Sequence, residues 1–264
     1  MKKLLVLFMT IVLCASLFVA CSPANDTTVD DTTVADDTTV ADDTTVADDT
    51  TVANDEPADP AAKSEGVMTY AEYAAAEMDA EVVIEAYVQA KQSWWDNKAT
   101  VYTQDPDGAY FLYNMACSEE DYAKLTVGTK IKVTGVKTAW EGEVEIVDAT
   151  FEIVEGNWVA EALDVTDLLG KDELINHQNK LGLFKGMTVE SITFKNEGGD
   201  DIYVSLSKDG ATYSFCVEFY LTGTDTDVYK AVSELKAGDV IDVEGFIYWY
   251  QGVNTHITAV SAAK

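Results

Sequence analysis

Residues 128–135 read Gly128-Thr-Lys-Ile-Lys-Val-Thr-Gly135, and residues 238–245 read Gly238-Asp-Val-Ile-Asp-Val-Glu-Gly245. Both segments place Ile and Val at alternate positions between two glycines, a spacing that predicts a β-strand with one apolar face. Seven identities occur at the same offset of 110 residues, including Leu125 with Leu235, Gly142 with Gly252 and Ala149 with Ala259. A fixed offset of this kind predicts a duplicated structural unit.

Each unit has the same predicted order of three strands, a short helix and two strands. In the first unit the strands are expected at 81–90, 99–104, 109–115, 130–137 and 143–154, with the helix at 118–125. In the second unit they are expected at 187–195, 201–206, 212–219, 240–248 and 254–260, with the helix at 227–235. A capping box of Thr69 and Glu72 predicts a further helix at the start of the first unit.

This order, within about 80 residues, is the layout of the OB-fold, a five-stranded Greek-key barrel. The two octapeptides resemble the fourth OB strand, whose glycines allow the strand to bend. Residues 67–264 resemble the tandem OB-fold lipoproteins of clostridia-like bacteria, a group of uncharacterised function. The resemblance implies a mostly β protein: two consecutive five-stranded OB-fold-like Greek-key barrels, each with a short helix between strands three and four, after a disordered linker.

The amino terminus predicts export. Two lysines precede an apolar run that ends at Ala20, which is typical of a signal peptide over residues 1–20. The segment Leu17-Phe-Val-Ala-Cys21 resembles a bacterial lipobox, except that Phe18 stands where leucine is usual. The resemblance implies lipidation of Cys21 and a membrane-anchored protein at the extracytoplasmic face. The alternative is ordinary secretion, with Cys21 a spare thiol.

A low-complexity linker is expected at 21–66. Thr-Thr-Val recurs there, and the segment holds thirteen acidic residues and a single lysine. This composition is too polar and too charged to form a core. The remaining boundaries are the first barrel at 67–156, a connector with a short helix at 157–185 and the second barrel at 186–264. The connector is expected to pack on the second barrel or to fix the barrels relative to each other.

Charge makes nucleic acid an unlikely partner. Residues 67–264 hold 34 acidic residues and 14 lysines, and the sequence contains no arginine. Phosphate backbones are normally held by basic surfaces, and arginine is the preferred side chain for phosphate and base edges. With Cys14 and Cys21 assigned to the signal and the lipid, Cys117 and Cys216 are expected to be free buried thiols.

No catalytic constellation is visible in the sequence. His177 and His256 have no Cys or carboxylate at ligand spacing, and no nucleophile or phosphate-loop motif occurs. The segment Asp105-Pro-Asp-Gly108 resembles the start of a calcium loop, but Ala116 stands where the closing Glu would be, so a hairpin turn is the better interpretation. We therefore predict no enzyme activity, no cofactor and no metal.

Aromatic residues in the expected loops mark a candidate binding site. OB-fold ligands lie across strands two and three, between the loop joining strands one and two and the loop joining strands four and five. Aromatic planes beside amide and charged groups suit a sugar face, a base or another flat ligand. The predicted ligand-binding residues are Trp94, Trp95, Trp140, Lys91, Asn97 and Tyr102 in the first unit and Trp249 and Tyr250 in the second.

An alternative is that these tryptophans close the barrel mouth or pack against the other domain or the helix that begins at Thr69. Tyr102, Tyr110 and Tyr113 would extend a stacking face if they point outward, but strand three is apolar at both odd and even positions, so its faces cannot be assigned. The sequence favours a non-catalytic binding or adaptor protein for a glycan, a small molecule or an envelope protein. Single-stranded nucleic-acid binding is the alternative function.

Overall fold

The computed structural model describes residues 59–196 and 199–263. The predicted signal peptide, the lipidation site at Cys21 and the repeats up to residue 58 lie outside the described residues. Within the described ranges, no helix is long and apolar enough to cross a bilayer.

The first half of the described chain is a closed five-stranded barrel with strand order β1-β2-β3-β5-β4. Its elements are α1 (Tyr70–Ala75), β1 (Glu81–Lys91), β2 (Lys98–Gln104), β3 (Ala109–Ala116), α2 (Glu119–Lys124), β4 (Thr129–Trp140) and β5 (Glu143–Asn157). Antiparallel β1–β4 pairing and a short parallel contact between β3 and β5 close the ring. The predicted order of strands and the helix between strands three and four are confirmed here.

Side-chain caps fix where both helices of this half begin. The Thr69 hydroxyl accepts from the Glu72 amide, and the Glu72 carboxylate accepts from the Thr69 amide, as the capping box predicts. Ser118 caps α2 by accepting from the Asp121 amide. Each cap satisfies amide groups that the first helical turn leaves unpaired.

The second half forms a sheet of six strands, one more than predicted. Its elements are β6 (Leu163–Asp164), β7 (Leu181–Phe194), β8 (Ile202–Lys208), β9 (Ala211–Val217), α3 (Phe219–Thr222), α4 (Asp227–Glu234), β10 (Val240–Phe246) and β11 (Asn254–Ala262). Strand β10 pairs with both β7 and β11, and β9 pairs with β8 and, in parallel, with β11. The extra strand is β6, which comes from the predicted connector and adds to β7.

The connector differs from its prediction in two further ways. Its helix is a 3-10 segment, Asp172–His177, with Leu174 buried. Strand β7 begins at Leu181, inside the segment assigned to the connector. Its second residue, Gly182, packs closely against the second half: a Cβ there would lie 2.9 Å from Ile247.

Gly135 and Gly245, which end the two repeated octapeptides, lie at equivalent bends. Strand register shifts beside both glycines, in the β4–β5 pair and in the β10–β11 pair. A Cβ on Gly135 would lie 2.6 Å from the Ile146 side chain, and one on Gly245 would lie 2.4 Å from a backbone oxygen of His256. Neither position has room for a side chain, which explains the repeated glycine.

Candidate functional site

The two halves meet on the outer face of β2 and β3, which is the expected OB ligand face. The Tyr102 ring points out of the first barrel but is fully buried, because it stacks on Phe246 of β10 at 4.2 Å between ring centroids. Phe111 packs beside it, against Tyr248. We call this contact, made by Tyr102, Phe111, Phe246, Tyr248 and His256, the junction.

Tyr102 is therefore not a ligand-stacking residue, contrary to the prediction. Its hydroxyl and Nδ1 of His256 are 2.6 Å apart, and the His256 ring stacks on Tyr248 at 4.3 Å. Burial lowers the pKa of His256 to about 4, so the imidazole is neutral at physiological pH. His256 thus joins the halves through a neutral hydrogen bond.

The part of the ligand face that the second half leaves uncovered forms a cleft of about 490 Å³, the junction cleft. The first half contributes the loop after β1 and the outer faces of β2 and β3, and the second half contributes α3 and the edge of the junction. Its lining residues are Gln92, Ser93, Trp95, Lys98, Thr100, Phe111, Tyr113, Asn114, Glu218, Tyr220, Tyr248 and His256.

Three aromatic side chains in the junction cleft are open to solvent. Trp95 is 68% exposed, Tyr220 is 57% exposed and Tyr113 is 45% exposed. Tyr113 faces outward because its neighbour Leu112 fills the barrel core, and successive side chains on a strand point to opposite faces. When a flat ligand covers an aromatic ring this exposed, the ring's apolar surface is removed from water, which favours binding.

A tight turn holds Trp95 at the edge of the cleft. The Lys98 amide donates to the Trp95 carbonyl at 2.9 Å, and the two residues between them, Asp96 and Asn97, have φ of +49° and +57°. Two positive φ values between paired residues are the mark of a type I′ hairpin turn, which Asp and Asn tolerate. Asn97, predicted to contact ligand, is therefore a turn residue.

Backbone contacts tie this loop to the second half. The Ser93 amide donates to the Tyr220 carbonyl at 2.7 Å, and the Ser93 hydroxyl donates to the same oxygen at 3.2 Å. Glu218 begins the helix that carries Tyr220, since its carboxylate accepts from the Leu221 amide at 2.7 Å. Burial raises the pKa of Glu218 to about 7.

Two more residues of the first half that were predicted to bind ligand, Trp94 and Lys91, make their contacts within the protein. The Trp94 indole donates to the Cys117 carbonyl at 2.9 Å. The Lys91 ammonium donates to the Tyr122 carbonyl and lies 3.8 Å from the centre of the Tyr122 ring. Both side chains fasten the loop and α2 to the barrel. Of the first-half residues predicted to bind ligand, Trp95 alone lines the junction cleft.

Trp140, Trp249 and Tyr250 lie at a second place, where the β4–β5 and β10–β11 loops meet. The Gln251 amide donates to the Glu141 carbonyl at 2.7 Å, and the Gln251 side chain donates to the Glu141 carboxylate at 2.8 Å. Trp140 and Tyr250 remain exposed there, and Trp249 packs against Gly142. These loops join each other instead of flanking the junction cleft.

A buried carboxyl group, that of Glu143, stabilises the contact between the β4–β5 and β10–β11 loops. Glu143 is fully buried and accepts from the Asn179 side chain at 2.6 Å and from the Trp249 amide at 2.8 Å. Loss of water raises the pKa of Glu143 to about 8, and the two hydrogen bonds offset part of that rise. Glu143 therefore connects the first barrel, the connector and the second half.

The cysteines and the Asp105 turn agree with the sequence. Cys117 and Cys216 are buried free thiols, as predicted. The Asp105 carboxylate accepts from the amides of Asp107 and Gly108, each at 2.7 Å, and forms an ion pair with Lys63 at 2.6 Å. Lys63 thus contacts the barrel although it belongs to the predicted linker.

Sequence reasoning did not assign Asn114, Glu218 or Tyr220 to the site, although all three line the junction cleft. Glu218 and Tyr220 belong to the second half and reach the first half's ligand face only through the docking of the halves. No local pattern signals this. Asn114 carries one weak signal, since an Asn inside an apolar strand suggests an irregular position, and its φ is +51°.

No protein-family model matches this chain, and no curated protein matches it in sequence. A murine DNA-binding protein solved with double-stranded DNA is 13% identical, with 69% of this chain and 96% of that chain covered and a TM-score of 0.35. The Ifi202 HINa domain, solved with a 20-base-pair double-stranded DNA, is 12% identical, with 70% and 100% covered and a TM-score of 0.33.

A deletion mutant of the single-stranded DNA-binding protein from Thermus aquaticus is 12% identical, with 70% of this chain and 94% of that chain covered and a TM-score of 0.26. At these identities and TM-scores, the comparisons carry no argument about the ligand of this chain.

Proposed function

We propose that this chain is a non-catalytic binding protein of the tandem OB-fold lipoprotein kind, anchored through Cys21 at the extracytoplasmic face. Its ligand occupies the junction cleft. The observation that carries the binding function is the cleft itself, in which three aromatic side chains stay exposed beside hydrogen-bonding groups. Concave sites that combine aromatic walls with a few polar groups are typical of ligand pockets.

The lining favours a ring-bearing ligand without net charge. Trp95, Tyr113 and Tyr220 offer aromatic planes, and Gln92 and Asn114 offer amide groups that donate and accept. Lining charge comes from one lysine and from one glutamate, Glu218, whose pKa of about 7 leaves its carboxyl group partly ionised at neutral pH, so the net charge of the lining is small. A glycan or a small cyclic molecule has this chemistry, and a surface loop of an envelope protein is a larger alternative.

Single-stranded nucleic acid is the competing ligand, and DNA is the ligand of the solved structures named above. The charge balance opposes it, because residues 67–264 hold 34 acidic residues against 14 lysines. A strand of phosphates would meet one lysine in the cleft. Binding of this kind would weaken steeply as salt rises.

Titration of the chain from Ser22 onward, which keeps every described residue, tests the ligand class. Tryptophan fluorescence and calorimetry are followed against neutral oligosaccharides and a single-stranded oligonucleotide at low and high salt. We expect saccharide binding that changes less than twofold between 50 and 200 mM salt, a range over which several phosphate contacts would cost on the order of a thousandfold.

Trp95→Ala should reduce saccharide affinity by about fivefold or more, taking the about 1–3 kcal/mol that a base stacked on an aromatic side chain contributes as the scale for a stacked ring. Trp140→Ala is the matched control, since this tryptophan is 56% exposed and lies outside the cleft. Equal saccharide affinities of the two variants would show that the junction cleft is not the binding site. Salt-sensitive oligonucleotide binding without saccharide binding would replace the proposed ligand class.

The anchor is tested on intact cells. Labelling with a radioactive fatty acid should mark the full-length protein and leave Cys21→Ser unmarked, and the variant should leave the membrane fraction. A Cys117→Ser variant is the control, because that thiol is buried. Label that persists in Cys21→Ser would place the lipid elsewhere.

A further inference from the structure

A lysine and a glutamate face the junction cleft from different halves of the molecule. Burial raises the pKa of Glu218 to about 7, so its carboxyl group is partly ionised at neutral pH, and an amine bound beside it favours the ionised form. Lys98 lies at the start of β2 in the first half, and Glu218 precedes α3 in the second half. Lys98 forms no ion pair with any residue in the described ranges, and neither does Glu218. One carboxylate oxygen of Glu218 accepts from the Leu221 amide.

Lys98 is one of nine lysines in the described ranges that form no ion pair, and it is the lysine that lines the junction cleft. Lys63, Lys130 and Lys195 each pair with a carboxylate at 2.6 to 2.9 Å. Lys98 lies in the same acidic protein without such a partner, and the carboxylate across the cleft belongs to the other half. The docking of the halves therefore sets a positive and a negative group on the two walls of one cleft.

These charges select among ligands. A ligand that fills the cleft removes water from both groups, and a charge that loses water without gaining a partner opposes binding. A ligand with a carboxylate and an amine at its two ends would pair with both. Neutral ligands would leave both groups without a charged partner, so the same residues favour a ligand with both charges over a neutral one.

We propose that the junction cleft takes a zwitterionic ligand whose carboxylate pairs with Lys98, whose amine pairs with Glu218 and whose ring stacks on Trp95. This inference rests on the proposed function, since it specifies the chemical class of the same ligand. Two sources share the chemistry: a short peptide with free termini, and an amino sugar that carries a carboxylate.

Blocked ligands test each charge separately. The probes are the dipeptide phenylalanyl-phenylalanine, its N-acetyl form, its methyl ester and the form with both ends blocked, with muramic acid and its N-acetyl form as the sugar arm. Each block should weaken binding by about tenfold or more, because a hydrogen bond to a charged group contributes about 1.5–3 kcal/mol. The arm with the stronger preference for the free form identifies the source.

Two variants test which end of the ligand each charged residue contacts. Lys98→Met should weaken the free dipeptide by about tenfold and leave the methyl ester unchanged, since the ester has no carboxylate charge to lose. Glu218→Gln should weaken the free dipeptide and leave the N-acetyl form unchanged. The glutamine oxygen can still accept from the Leu221 amide, so α3 keeps its cap, and circular dichroism checks the fold.

Equal affinity for free and blocked forms in both arms overturns the zwitterion proposal. Loss of binding by all forms in either variant overturns the assignment of that charge. Failure of the proposed function is distinguishable, because it appears as Trp95→Ala binding saccharides and dipeptides as tightly as Trp140→Ala does.

Discussion

The hydrogen bond between Tyr102 and His256 can be removed by deleting one oxygen atom, which tests whether this bond stabilises the junction. Tyr102→Phe keeps the ring, so the stack on Phe246 at 4.2 Å is preserved, and it deletes the hydroxyl 2.6 Å from Nδ1 of His256. The imidazole nitrogen is then buried without a partner. Such a group costs about 1–3 kcal/mol, and we expect the free energy of unfolding to fall by that amount.

Equilibrium unfolding in urea, followed by tryptophan fluorescence, measures this loss. Tyr113→Phe is the matched control on the neighbouring strand, because Tyr113 is 45% exposed and its hydroxyl makes no hydrogen bond with another described residue. We expect less than about 0.5 kcal/mol for the control. Equal effects of the two variants, or a loss below 0.5 kcal/mol for Tyr102→Phe, would refute the reasoning that this bond joins the halves.

Three further perturbations address other parts of the structure. Lys137→Met should lower the unfolding free energy by about 2–4 kcal/mol in urea, because the buried ammonium donates to three carbonyls at the end of α1 at 2.7 to 3.0 Å. The exposed Lys124→Met should cost less than about 1 kcal/mol, and an equal loss would contradict this role. Gly108→Ala should cost about 1–3 kcal/mol in thermal unfolding, since its Cβ would lie 2.0 Å from the Tyr70 ring, and an unchanged melting temperature would mean that the ring moves freely. The native state holds a proton on Glu143 up to about pH 8 and the unfolded chain releases it near 4.5, so stability should fall with rising pH across that window. Between pH 6.5 and 8 Glu143 should contribute a loss of about 1.5 kcal/mol, which Glu143→Gln removes, while the smaller contribution of Glu218, whose pKa is about 7, remains. The same slope in the variant would contradict the assignment.

The candidate site was only partly predictable. Trp95 is predictable because a tryptophan in a polar loop is unusual, and it lines the junction cleft. The Tyr102 ring points out of the barrel, which a stacking role requires, but Phe246 of the second half covers it. The sequence predicts Trp140 beside Trp95, but the Trp140 loop is hydrogen-bonded to the β10–β11 loop through Glu141.

The sequence by itself determined the order of strands and helices in the first barrel, the capped helix starts at Thr69 and Ser118, and the glycine positions 135 and 245. The strand order and the caps depend on side chains within a few residues of one another, so periodicity and turn chemistry predict them.

Tertiary structure alone decided which apolar faces touch. In β3, residues 109 to 112 are all buried, on both faces of the strand. The barrel core covers one face and the second half covers the other. The hydrophobic effect has no direction: it favours burial of a side chain without specifying the partner that buries it. Only the docking of the two halves therefore turns a strand face into a junction and leaves the cleft beside it.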